Sequence, residues 1–255
     1  VFLGGNGHST ERLEPARRAI NELGLPLVID DAPYPGFENR PRVGSFEEFL
    51  DVTASLTLLP IPTIIYGTGI GGLIALSLRA RGIWKSLPLL LQAPVLWGLE
   101  RRLMPRIMRL GLARYYDRIT SARVWQNHFA RTRFLKPLSP EMRKAFFGGF
   151  AQCRCGGDFF DWLTPALLRS LERRHAETPA VFDNVHFWWG ARDRVVSLEE
   201  LSVSNKALRT SFSPRVFAEW GHYPMIDSPG EWVKEVNDAV ATIGAIPRPN
   251  GPQAE

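Results

Sequence analysis

The sequence is poor in cysteine: two among 255 residues, Cys153 and Cys155. One residue apart, they are too close for an ordinary intrachain bridge and too few for a disulfide framework. Two thiols without evident partner ligands also make a poor zinc site. They are read as free thiols, and neither metal nor any other cofactor is expected. No run of about 18 apolar residues exists, the length a membrane-spanning helix needs. No leader segment is visible, and the chain starts at Val1, without methionine, in what reads as a core strand, which leaves open a tag, a signal or one or two strands upstream. Free thiols without a leader point to the cytoplasm. Internal repeats and low-complexity tracts are missing too, which excludes repeat architectures. Acidic residues are scarce in one place. Residues 96–150 hold twelve Lys/Arg against three Asp/Glu, a net +9 in a chain of net +5, so the remainder carries −4. The basic character belongs to one internal segment.

What is present is a strand–helix alternation. Hydrophobic residues make up 45%, enough for a packed core, and the length suits one α/β domain with an insertion or two small domains. Strands are expected at 1–5, 25–29, 62–66, 87–95, 184–189 and 215–220. Helices are expected from a cap at Ser9 or Thr10 to Leu23, then over 46–59, 70–81, 197–208 and 231–243. Residues 30–45, rich in Pro, Gly and Asp, read as a loop. Apolar strands alternating with helices predict a mostly parallel sheet with helices on both faces. The alternation breaks over 96–183, which reads as helical. This gives a core of 1–95 and 184–245, a basic helical insertion between them, and a flexible tail over 246–255. Such an insertion sits over the carboxyl edge of the sheet, where α/β folds bind ligands.

Three motifs follow in order. Gly67-Thr68-Gly69-Ile70-Gly71 joins a β-branched strand to a helix. In the usual glycine-x-serine-x-glycine form of this turn, the middle residue projects a hydroxyl over the sheet. Here the middle residue is Gly69. Asp193 follows the fifth expected strand, where a carboxylate can orient and stabilise an imidazole. His222, in Gly221-His222-Tyr223-Pro224, follows the sixth and is the candidate base.

Together these residues resemble the α/β-hydrolase superfamily. Leu3-Gly4-Gly5-Asn6-Gly7 is similar to its oxyanion loop, with Gly4 in place of the usual histidine. Asp31-Ala32-Pro33-Tyr34-Pro35-Gly36-Phe37 is similar to the loop after its next strand. The family's first two strands are not visible. The resemblance implies that Gly69 holds the nucleophile position, Asp193 that of the acid and His222 that of the base. It also implies an oxyanion hole from the amides of Ile70 and Asn6, beside Gly5, and makes the insertion a cap. Backbone amides need no particular side chain, so the hole could survive. Glycine forms no acyl-enzyme.

Plainer readings stand beside these. Thr68 carries a hydroxyl, but next to the tip it should point elsewhere. His222 could be a satisfied loop histidine, Asp193 could pair with Arg192 or Arg194, and His8 could be solvated. By strand alternation Trp188 and Trp189 read as one core and one pocket residue. Arg102, Arg106 and Arg109 share a helix face, about 100° from that of Leu103, Ile107 and Leu110. That face is either solvated or attracts an anionic substrate, a carrier-bound acyl group or, less favoured, a membrane surface. No nucleic-acid motif stands out. Gly67, Gly69 and Gly72 formally match a dinucleotide loop, but the following strand ends in Gln92-Ala93-Pro94 with no acidic residue.

Three functions remain. The first is an enzyme acting on a small carbonyl compound, such as an ester, thioester or ketone, with a His222–Asp193 dyad as general base and no covalent intermediate; lyase and cyclisation chemistry fit as well. The second is a non-catalytic ligand-binding or scaffold protein on a disabled hydrolase fold. The third is a serine hydrolase in which glycine replaces the nucleophile. The substrate itself is not legible, because a cap sequence carries no readable code.

Overall fold

The computed structural model describes residues 1–5, 10–32, 34–37, 40–56, 63–95, 108–152, 156–208 and 211–243. Its frame is a parallel sheet in the order β1-β2-β3-β4-β5: Phe2–Leu3, Ile65–Thr68, Leu89–Gln92, Val185–Gly190 and Arg215–Phe217. Successive side chains leave a strand on opposite faces. Ile65, Leu89, Leu91, Phe187 and Trp189 therefore enter one core, and Tyr66, Leu90 and Trp188 the other. Helices α2 (Phe46–Leu56) and α3 (Ile70–Ala80) cover the first face. Helix α1 (Glu14–Leu23) and the closing α11 (Pro229–Ile243) cover the second.

Between β3 and β4 the described chain is helical: short turns over 108–115, then α4 (Tyr116–Ser121), α5 (Arg123–Arg133), α6 (Pro140–Gln152), α7 (Asp158–Trp162) and α8 (Pro165–Glu177). Helix α9 (Leu198–Leu208) joins β4 to β5, and α10 (Pro224–Asp227) precedes α11. Phe134, Phe146, Phe147, Phe150 and Tyr116 form a third, aromatic core within the segment. It is fixed to the rest of the chain by Arg12, whose buried guanidinium stacks 3.8 Å from the Phe146 ring and donates to the Phe146 carbonyl at 2.7 Å.

Two expectations are corrected. Residues 25–30 form no strand: Leu25, Leu27 and Ile29 pack against the second core, while Val28 is 80% exposed. Strand β1 has only two residues, so a ladder reduces to one bridge, Phe2 with Asp31, with bonds Phe2 N–Asp30 O at 2.8 Å and Ala32 N–Phe2 O at 2.9 Å. Trp188 and Trp189 do not divide into one core and one more open residue: they are 4% and 0% exposed. Both tryptophans are core residues on opposite faces, because both faces are covered, and Trp189 Nε1 donates to Val196 O at 2.9 Å. The expected cap residue Ser9, the cysteines, Arg102, Arg106, Leu103, Ile107 and the tail lie outside the described residues.

Candidate active site

At the carboxyl end of β2 the chain turns into α3 through Gly69, with φ 56° and ψ −123°. A side chain rarely adopts this backbone, and glycine takes it without strain. The turn is held from three sides. Gly69 N donates to Gln92 O at 3.3 Å, and Gly69 O accepts from Gly72 N at 3.1 Å and Val95 N at 2.8 Å. Gly71 lets α3 lie against the end of β1: a Cβ there would stand 2.0 Å from Leu3 O.

The ends of β4 and β5 are laced together. Ala191 N donates to Phe217 O at 2.9 Å and Arg192 N to Trp220 O at 3.0 Å. This carries the loop with Asp193 up to the loop with His222. Asp193 Oδ1 accepts from Val195 N at 2.7 Å and Val196 N at 2.8 Å, so its other oxygen is aimed. Oδ2 meets His222 Nδ1 at 2.8 Å, with the two side chains 1% and 6% exposed. An ionised carboxylate only accepts, so Nδ1 donates to it, and in the neutral imidazole Nε2 is then the nitrogen with the lone pair. Arg192 pairs instead with Glu219, at 2.9 Å.

Nε2 faces Gly69. A Cβ built there would stand 3.5 Å from Nε2 and 3.9 Å from Cε1, and beyond Thr68 and Ile70 no other described residue comes within 4 Å. The Ile70 amide, first in α3, has no acceptor among the described residues. Gly5 lies beside it: a Cβ on Gly5 would be 4.0 Å from Ile70 N. Thus Gly69, Ile70, Gly5, Asp193 and His222 converge on one corner. Asn6 and His8 lie outside the described residues. Thr68 is buried, and its hydroxyl has no partner among the described residues. Among the described residues no group of three or more His, Cys, Asp or Glu side chains could hold a metal.

Sequence reasoning missed the support behind the histidine. Gln92 Nε2 donates to His222 O at 3.0 Å, its Oε1 accepts from Tyr66 Oη at 2.6 Å, and Tyr66 Oη accepts from Trp232 Nε1 at 2.9 Å. Burial raises the Tyr66 pKa, with the Trp232 bond acting against it, so the hydroxyl stays a donor. The one available signal was a glutamine in the otherwise apolar run Leu89–Gln92. Gln92→Leu would leave the Tyr66 hydroxyl and the His222 carbonyl without their partner. It should cost about 2 kcal/mol, read as a Tm lower by roughly 4–8 °C in thermal unfolding.

Tyr223 was missed as well. Its ring stands edge-on to His222 at 4.8 Å and stacks on Phe134 at 4.9 Å, tying the imidazole to the helical segment. Nearby, Asp227 accepts from Leu135 N at 3.3 Å, and burial raises its carboxyl pKa against that bond.

A sequence model described as the alpha/beta hydrolase family matches residues 27–236. The chain belongs to the α/β-hydrolase family. No curated protein matches its sequence. Its fold matches those of solved structures. Haloalkane dehalogenase DbeA from Bradyrhizobium elkani superposes with a TM-score of 0.67 at 16% identity, covering 96% of this chain and 90% of that one. A thermophilic esterase from Thermogutta terrifontis gives 0.64 at 15%, covering 96% and 89%. A bacterial membrane phospholipase A gives 0.63 at 17%, covering 96% and 78%. At these identities the likeness establishes the hydrolase fold. No helix among the described residues of this family member is long and apolar enough to cross a membrane.

Proposed function

We propose that this α/β-hydrolase-family protein is an enzyme acting on a small carbonyl compound, an ester, thioester or ketone, without a covalent intermediate. The observation that carries the reading is the 3.5 Å from His222 Nε2 to the place a Gly69 side chain would occupy. A water molecule or substrate atom in that corner meets the imidazole directly. His222 takes its proton, and Asp193, bonded to Nδ1, stabilises the resulting imidazolium. The developing oxyanion is held by the Ile70 amide, with Asn6 as the second donor, beside Gly5. Residues 96–183 act as the cap that selects the substrate. Solved structures of the same fold include an esterase and a phospholipase, which supports small-molecule hydrolysis.

In this reading His222→Ala removes the base. Turnover on a panel of aryl esters and thioesters should fall by about 10²–10⁴-fold. Unchanged turnover in that variant would overturn the proposal.

A second reading is favoured by the backbone at Gly69. Its φ and ψ aim a side chain at Nε2, which glycine itself does not require. The position is then that of a lost serine, and the chain is a serine hydrolase without its nucleophile. Restoring the serine separates the two readings through the order of the reaction. With glycine, the substrate and water meet in one step. With serine, an acyl-enzyme forms first and a burst of the leaving group appears.

A further inference from the structure

The helical segment has an outer face that the site does not use. Over residues 113–120 the inward side is fixed: Ala113, Tyr116 and Thr120 are buried, and Thr120 Oγ1 donates to Tyr116 O at 3.0 Å. The Ala113 carbonyl lies 2.4 Å from where a Cβ of Gly157 would stand, so this stretch rests directly on the backbone of the next turn. What remains points out. Leu110 is 82% exposed, Leu112 and Tyr115 are each 37% exposed, and Val124, opening α5, is 82% exposed. Gly111, between the two leucines, has φ 90° and, beyond its own turn of chain, no described atom within 4 Å of a Cβ position, so the chain turns sharply there without packing against any other described residue.

Exposed Arg114, Arg118 and Arg123 lie between these apolar side chains. The Tyr115 ring has the Arg114 guanidinium at 4.9 Å and that of Arg118 at 5.9 Å. Residues 108–135 contain six arginines and one acid, Asp117. On the adjoining α7, Asp158 is engaged by Arg42 at 2.6 Å, and Asp161 is the remaining acid. Exposed aliphatic side chains, a tyrosine ring with two arginines beside it and a third arginine next to Val124 in sequence match one partner in chemistry. The aliphatic groups enter acyl chains, tyrosine sits at headgroup depth and guanidinium groups meet lipid phosphates.

We propose that the outward face of residues 110–124 docks on an anionic lipid membrane. An acidic protein would satisfy the arginines but not the exposed apolar side chains of Leu110, Leu112, Tyr115 and Val124. The proposal does not rest on the chemistry assigned to His222.

The test is co-sedimentation of the full chain with vesicles of phosphatidylglycerol mixed with phosphatidylcholine, against phosphatidylcholine alone. Binding should require the anionic lipid and weaken as salt is added. Arg114→Gln with Arg118→Gln should lower the partition coefficient about 25-fold, from roughly fivefold per charge. Leu110→Ser with Val124→Ser should lower it about tenfold or more. All four positions are exposed, and unchanged circular dichroism and an unchanged Tm show that the fold survives. No sedimentation with anionic vesicles would overturn the proposal. So would equal sedimentation with neutral vesicles, or indifference to the leucine and valine changes. Binding of polyglutamate as tight as that of the vesicles and insensitive to Leu110→Ser would replace the membrane by an acidic protein partner.

Discussion

Gly69→Ser should turn this protein into one that fluorophosphonate probes label covalently, while the parent chain stays unlabelled. Beyond its chain neighbours, a Cβ at position 69 meets among the described residues only His222, Nε2 at 3.5 Å and Cε1 at 3.9 Å, which is ordinary contact. The hydroxyl one bond further can come within hydrogen-bond reach of Nε2, the arrangement that activates a serine. Adding His222→Ala should slow labelling by about 10²–10⁴-fold, because the general base is gone. A cost accompanies the gain. At φ 56° a serine is strained by about 1–3 kcal/mol, so the variant's Tm should fall. Intact-mass spectrometry after probe treatment reads the outcome. A labelled parent, or an unlabelled variant that keeps the native fold, would show that the corner is not the one described.

Two residues along, Gly71→Ala should be far more damaging. The added methyl would stand 2.0 Å from Leu3 O, 2.6 Å from Leu3 C and 2.8 Å from Gly4 O. These are backbone atoms of β1 and the loop after it, with no rotamer to yield. Either α3 lifts from the sheet or β1 leaves its pairing, Leu3 with Gly67. A loss of about 3 kcal/mol or more is expected, at the severe end for one methyl. Denaturant unfolding measures it. Because α3 begins with Ile70, the same shift displaces the amide beside the corner. Activity in the surviving folded fraction should fall as well, whereas a variant of native stability would mean that this contact is looser than described.

Much of the framework was legible in the sequence. Apolar runs such as Leu89–Leu91, broken by helical spacing, gave a parallel sheet covered on both faces, because only that arrangement buries both sides of a strand. Glycines around position 69 marked a tight strand-to-helix turn. Asp193 and His222 each followed a strand end, which places them on one edge of a parallel sheet. Where the reading failed, local pattern was overruled by the length or cover of a neighbour. Residues 25–29 have strand-like composition, but β1 ends at Leu3 and offers no ladder. Trp188 and Trp189 alternate as expected, yet both are core residues, since helices cover both sides.

The sequence by itself determined the order of elements, the residue types at the strand ends and the absence of a side chain at Gly69. Only the tertiary structure decided that Asp193 Oδ2 and His222 Nδ1, 29 residues apart in the chain, stand at 2.8 Å. It alone turned the free nitrogen toward Gly69, and set Gln92, Tyr66 and Trp232 in a line behind the histidine backbone. The physical reason is that periodicity encodes which face a residue takes, a local property. Distances between side chains depend on how strands register, how loops are laced and how closely helices approach, and those follow from packing of the whole chain.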